Sequence, residues 1–164
     1  MLLIFHIVFV ALIVLVNLFM YILIGIKYKG LPEEICSHYN FSGDCDSHSG
    51  KGIIFIIPIV STGISILFSL TYLIPTRYWK VNTGVESIEL PESIKREIKG
   101  FVCLFCVMDA LFISIFMAYL VACMIYGWHV STIFTVIFMV SLILNSFWLL
   151  YAVFSKINQY RTSN

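Results

Sequence analysis

From Leu2 to Ile26 the chain reads LLIFHIVFVALIVLVNLFMYILIGI, without a single Asp, Glu, Lys or Arg. At 1.5 Å per residue, a helix of that length exceeds the roughly 30 Å of hydrocarbon in a bilayer. A secretion signal would need a basic n-region, a shorter apolar run and a small-residue cleavage site, and none of these is present. The stretch reads as a retained transmembrane helix. Three more stretches share its character: Ile53–Ile74, Phe101–Tyr126 and His129–Phe154. None contains Lys, Arg or Glu, and only Phe101–Tyr126 contains an Asp. A backbone in lipid must satisfy its own hydrogen bonds, so each stretch is expected to be helical.

Composition agrees. Of 164 residues, 60% are hydrophobic and 12% charged, with a mean hydropathy of +0.98. A soluble domain carries charge on about a quarter of its residues, because its surface faces water. This surface is expected to face a lipid bilayer. A net charge of +1, with no basic stripe, gives no reason to expect nucleic acid as a partner.

The expected architecture is all-α: a single integral membrane domain over 1–164, a bundle of four transmembrane helices. The helices are placed at about 2–26, 53–74, 91–126 (membrane part 101–126) and 129–155. Tyr126-Gly127-Trp128-His129 reads as a tight turn with an interfacial aromatic pair. Lys27, Lys29 and Lys51 lie in the loop 27–52. Arg77, Lys80, Lys95, Arg96 and Lys99 lie in the loop 75–100, and Lys156 and Arg161 follow the last span. The positive-inside rule then puts 75–100 and both termini in the cytoplasm and 27–52 outside, as a multi-pass protein of the plasma membrane. Pro91 suits the first position of a helix, and Leu90, Ile94 and Ile98 recur every fourth residue. An amphipathic extension should therefore lead into the third span, with Glu92 and Arg96 one turn apart. Its plainer reading is a solvated helical linker.

Helices in lipid associate through small residues and polar contacts. Ser61, Ser65 and Ser69 form one such ridge, and Cys106, Ala110, Ser114, Ala118 and Ala122 another. Asp109, Asn145 and Asn17 fall at similar depth on three different helices. Asp109 lies about 12 Å from the start of its span, and Asn145 about 13–15 Å from the end of its own. One buried cluster would satisfy all three. An intramembrane acid costs about 2.5–3.5 kcal/mol to insert at the helix centre and should face the interior. Asp109 reads equally as a protonatable or ion-coupling group and as a structural acid fixing helix register. Cys103 and Cys106 read as packing residues, since a redox thiol needs an accessible thiolate. His6 and His129 read as markers of the membrane boundary.

The loop 27–52 is rich in turn formers. Cys36 and Cys45 outside the cell would meet an oxidising environment that favours a disulfide. With His38 and His48 they also make four zinc-type ligands, though in no standard finger spacing. The two states exclude each other. Beyond that zinc alternative no cofactor is implied. No nucleophile–base pair, phosphate-binding glycine loop or paired carboxylates suggest an enzyme.

Leu31-Pro32, His38-Tyr39-Asn40, Gly43, Asp46, Lys51 and Pro58 resemble, in order and spacing, the bacterial domain of unknown function sixteen-forty-eight. A weaker echo runs through Arg77-Tyr78 into the third span. That domain also occurs in SdpI-like membrane immunity proteins, which resist a secreted toxin and can signal. The resemblance implies an outer-surface cap in which His38, Asn40, Gly43, Asp46 and Lys51 form a binding site. Asp46 would pair with Lys51 or cap the second helix, and Gly43 would permit a tight turn. The partner so implied is a peptide toxin or a membrane signalling protein. The rival reading is a small transporter or transporter subunit coupled through Asp109, and four helices would then need a homo-oligomer.

Overall fold

The computed structural model of the chain describes residues 2–78 and 90–162. Lys80, counted above for orientation, lies outside them. The elements run α1 (Leu2–Lys27), β1 (Glu34–Tyr39), β2 (Cys45–Gly50), α2 (Ile56–Leu70), α3 (Glu92–Tyr126) and α4 (Thr132–Thr162). With their flanking helical turns, four helices are long and apolar enough to cross a membrane: Leu2–Gly30, Lys51–Leu73, Glu92–Tyr126 and Thr132–Thr162. This is the pattern of a multi-pass membrane protein.

Each boundary has a local cause. Single 3-10 turns at Lys51–Phe55 and Thr71–Leu73 flank α2 and complete its span. Pro58 sits in the first turn of α2, where a missing N–H removes no helical bond. α3 starts at Glu92, with Pro91 just outside in extended conformation. It ends at Gly127, whose φ of 65° is left-handed, a geometry that favours a residue without Cβ. α4 begins at Thr132, three residues later than expected, because the Ser131 side chain caps it by accepting the Phe134 N–H at 3.4 Å. The Ser131 N–H in turn donates to the Tyr119 hydroxyl oxygen at 2.7 Å.

α3 is the central helix, with α1, α2 and α4 all packed on it. Where they meet, Ala110, Ser114 and Ser61 are wholly buried, and their small side chains let the backbones approach. The ridges read from the sequence are thus seams around their centres, while Ser69, Cys106, Ala118 and Ala122 are only partly buried. Cys103 is buried with a free thiol.

At the end away from the hairpin, α3 and α4 both continue beyond what a bilayer requires. At 1.5 Å per residue the 35 residues of α3 make a rod of about 50 Å. Leu90, Ile98 and Ile157 are buried together there, with Ile94, Val102, Val153 and Tyr160 around them. Lys156 pairs with Glu97 at 2.6 Å. The amphipathic stretch is therefore one half of a packed helix pair, not a solvated linker. Glu92 takes Lys95 as its partner at 3.1 Å rather than Arg96.

Candidate functional site

The loop 27–52 is mostly a β-hairpin. β1 and β2 are antiparallel, in the register Glu34↔Gly50, Ile35↔Ser49 and Cys36↔His48, then His38↔Ser47 and Tyr39↔Cys45 across irregular steps. Its turn closes on Asn40, whose N–H donates to Asp44 O and whose carbonyl accepts the Gly43 N–H, both at 2.9 Å. The Asn40 side-chain oxygen accepts the Asp44 N–H at 3.0 Å. Gly43 takes φ 88°, the left-handed region. Cys36 and Cys45 form a disulfide across the strands, with Cα atoms 5.8 Å apart. Both sulfurs are thus engaged with each other, and His38 pairs with Asp46 at 2.6 Å, so the four zinc-type ligands are not assembled as one set. Among the described residues no group of three or more such side chains is arranged to hold a metal.

Two attachments hold the hairpin on the bundle. Leu31 and Ile35 are buried in one apolar cluster with Met20 and Ile24 of α1, Ile54, and Val121 and Met124 of α3. At the tip, the Val130 N–H donates to Gly43 O at 2.9 Å, and His129 Nδ1 lies 3.1 Å from Asp44 Oδ1. A Cβ on Gly43 would run into the Val130 carbonyl. The position therefore needs glycine for its backbone angle and again for close approach.

Between hairpin and helix turn lies a cleft of about 540 Å³. One wall is Glu34, Ile35, the disulfide, Asp44 and His48, and the other is Met124 to His129. Tyr126 and Trp128 stack at 4.8 Å, with Lys27 over the Tyr126 ring at 5.6 Å. Tyr39 also lines the cleft, its hydroxyl buried without a hydrogen-bond partner. Burial first, then the neighbouring Cys123 and Tyr119, push that phenol up to about 12.

The residues singled out by resemblance do not converge on this cleft. His38, Asn40 and Gly43 line a second recess of about 340 Å³, on the side facing Phe116, Thr132 and Thr135. Asp46 pairs with His38, and Lys51 pairs with Glu33 at 2.8 Å, so the expected Asp46–Lys51 contact is replaced by two others. Asp46 and Lys51 line neither recess. His129 does more than mark a boundary, since it holds the hairpin tip. His6 is buried against Tyr72, with ring centroids 5.0 Å apart. The sequence reading missed Glu34, Asp44 and Trp128 as cleft residues. The aromatic turn was visible, but nothing linear announces that it meets a glycine more than eighty positions away.

The intramembrane polar residues form two networks instead of one. Asn17 Nδ2 reaches Ile13 O at 2.9 Å, Ser114 Oγ at 3.2 Å and Ser65 Oγ at 3.3 Å, and Thr62 Oγ1 donates to Asn17 Oδ1 at 3.2 Å. Ser61 Oγ donates to Ser114 Oγ at 3.2 Å. This network ties α1, α2 and α3. Asn145 Nδ2 donates to Asp109 Oδ1 at 2.8 Å and to Phe105 O at 3.2 Å, which ties α4 to α3. Among the described residues no hydrogen bond joins the two networks. They separate because Ser114 and Asp109 lie on different sides of α3.

Residues 7–62 match the family model of a domain of unknown function (DUF1648). No curated protein and no solved structure matches the chain. The DUF1648 segment contains most of α1, the whole hairpin and the first turns of α2, or about a third of the residues. It supplies Asn17, Ser61 and Thr62 to the first polar network. The cleft is shared: the hairpin wall comes from DUF1648, and the aromatic wall from the α3–α4 turn beyond it.

Proposed function

We propose that this chain is a non-enzymatic bacterial plasma-membrane protein that protects against, or senses, an envelope-acting peptide through its hairpin. The observation that carries this is the 540 Å³ cleft between a disulfide-tied hairpin and an aromatic helix turn, at one end of an otherwise lipid-facing bundle. Clefts of this size suit compact ligands or parts of a peptide. The hairpin end faces outside in this reading, which follows from the basic residues at the other end and suits the disulfide. The resemblance, read from the sequence, to a domain that also occurs in SdpI-like immunity proteins is in keeping with the same role. Protection works by sequestering the peptide at the cleft, and sensing works through a membrane partner at the packed α3–α4 extension.

The test is to express the chain in a peptide-sensitive strain and challenge it with envelope-acting peptides. Wild type is compared with Trp128→Ala, His38→Ala and Asp109→Asn at matched membrane abundance. Protection that is lost with Trp128→Ala and kept with Asp109→Asn supports recognition at the cleft. No protection by the wild type against any challenge peptide removes the reading.

One observation favours a second reading. Asn145 Oδ1 is buried without a hydrogen-bond donor, directly beside Asp109. A proton on the Asp109 carboxyl would supply that donor and close an acid–amide pair. A proton-coupled transporter subunit, assembled as a homo-oligomer, would use such a site. Proton flux in proteoliposomes that survives Asp109→Asn unchanged would dismiss it.

A further inference from the structure

Resting on the reading of the cleft as the peptide site, we infer that it recognises a cationic side chain, Lys or Arg, of that peptide. Two carboxylates line the cleft, Glu34 and Asp44, and no Lys or Arg does. His129 engages Asp44 at the rim, whereas the Glu34 side chain makes no hydrogen bond or ion pair among the described residues. One acidic residue of the lining, exposed on its strand, is therefore without an ion partner. Opposite stands Trp128, 55% exposed although it stacks on Tyr126.

An indole face is the best aromatic partner for an ammonium or guanidinium, and the chain already uses this contact. Lys27 lies over Tyr126 at 5.6 Å, and Lys51 over Tyr28 at 5.5 Å. A carboxylate on one wall and an indole on the other match a group that carries charge on a flat or compact head. The apolar floor, Ile35 and Met124, suits the methylene stem behind that head. An anionic ligand would meet Glu34 and Asp44, while Lys27, the lysine over the Tyr126 ring, is not itself part of the lining. A purely apolar ligand would leave both unused.

The experiment uses the full chain in phosphatidylcholine nanodiscs, with empty discs as the blank. Binding of dye-labelled tetra-arginine is followed by anisotropy, with tetra-glutamate and tetra-leucine peptides as comparisons. Saturable binding of tetra-arginine is expected, weakening as salt is raised. Trp128→Ala should weaken it about threefold to fivefold, and Trp128→Phe less. Glu34→Gln should weaken it by about threefold. Glu34 is the cleaner of the two acids to change, because Asp44 also holds the tip to His129. Amide exchange at Val130 should stay unchanged in Glu34→Gln and Trp128→Ala, showing that the hairpin remains docked. Equal binding of tetra-leucine, lost with Trp128→Ala, would overturn the charge preference and leave the peptide site standing. Binding insensitive to both substitutions would overturn the inference. Absence of binding by all three peptides, together with no protection in the sensitive strain, would overturn the peptide-site reading as well.

Discussion

Replacing Gly43 with alanine should detach the hairpin tip from the bundle. Two independent costs meet at this position. At φ 88° an L-residue with a Cβ loses about 1–2 kcal/mol relative to its relaxed conformation. The added Cβ would also strike the Val130 carbonyl, a backbone atom that no side-chain rotation can move aside. Relief requires the tip and the α3–α4 turn to separate. Separation breaks the Val130 N–H bond to Gly43 O, whose net worth is about 0.5–1.5 kcal/mol. The His129–Asp44 pair goes with it, but both side chains are more than half exposed, so its contribution is set near the bottom of the 0–1 kcal/mol range. Together these amount to roughly 1.5–3.5 kcal/mol. That is a shift of about tenfold to three hundredfold toward the undocked tip.

Hydrogen exchange of the Val130 amide reads this directly, since that group is protected by Gly43 O. Its exchange should accelerate by about the same factor in Gly43→Ala. Amides in the middle of α3, held by their own helix, should not change. Gly43→Asn separates the two causes: asparagine tolerates left-handed backbone but brings the same Cβ, so it should be nearly as damaging. Unchanged protection of Val130 in Gly43→Ala would refute the docking geometry. Full recovery in Gly43→Asn would show that backbone angle alone had mattered.

Asp109→Asn preserves a polar partner for Asn145 and should change stability by less than about 1 kcal/mol, whereas Asp109→Leu strips Asn145 and should cost about 1–2 kcal/mol, measured by steric trapping in bicelles. Asn17→Leu removes the hub that ties α1 to α2 and α3. At roughly 0.6 kcal/mol per interhelical hydrogen bond it should cost about 1–2 kcal/mol, and an intact stability would argue against the network. Tyr39 makes stability depend on alkaline pH. Its folded-state phenol ionises at about 12 against an ordinary 10.0, so the folded state keeps a proton that the unfolded state gives up. The stabilisation is complete below pH 10.0 and is lost as pH climbs toward about 12. Tyr39→Phe should therefore resist alkaline unfolding better than wild type, and identical alkaline midpoints would contradict the burial of this hydroxyl.

The number of spans and their approximate limits could be read from residues alone, for a physical reason. In lipid a backbone has almost no choice but to form helix, and length times rise then fixes what crosses. Both ends of α4 departed from this: the Ser131 cap moved its start to Thr132, because a single side-chain acceptor outweighed the apolar character of Val130, and its end runs on to Thr162 from the expected 155. Individual partners were less legible. Asp109 with Asn145 was foreseen as a contact by depth, but depth says nothing about angle around α3, and Asn17 turned instead to Ser114, Ser65 and Thr62.

The hairpin shows the same division. Gly43 marked a turn, and Cys36 with Cys45 offered a bridge, so local chemistry was in view. That Asp46 takes His38 while Lys51 takes Glu33 depends on strand register and its irregular steps, which spacing along the chain does not encode. The cleft lies further still from the linear message. Its walls come from segments separated by the whole of α2 and nearly all of α3, and they meet only because α3 carries the Gly127 turn up to the hairpin. Solvation by lipid is a property of each segment and can be read one segment at a time. Which faces meet is a property of packing, and it was decided only when the helices assembled around α3.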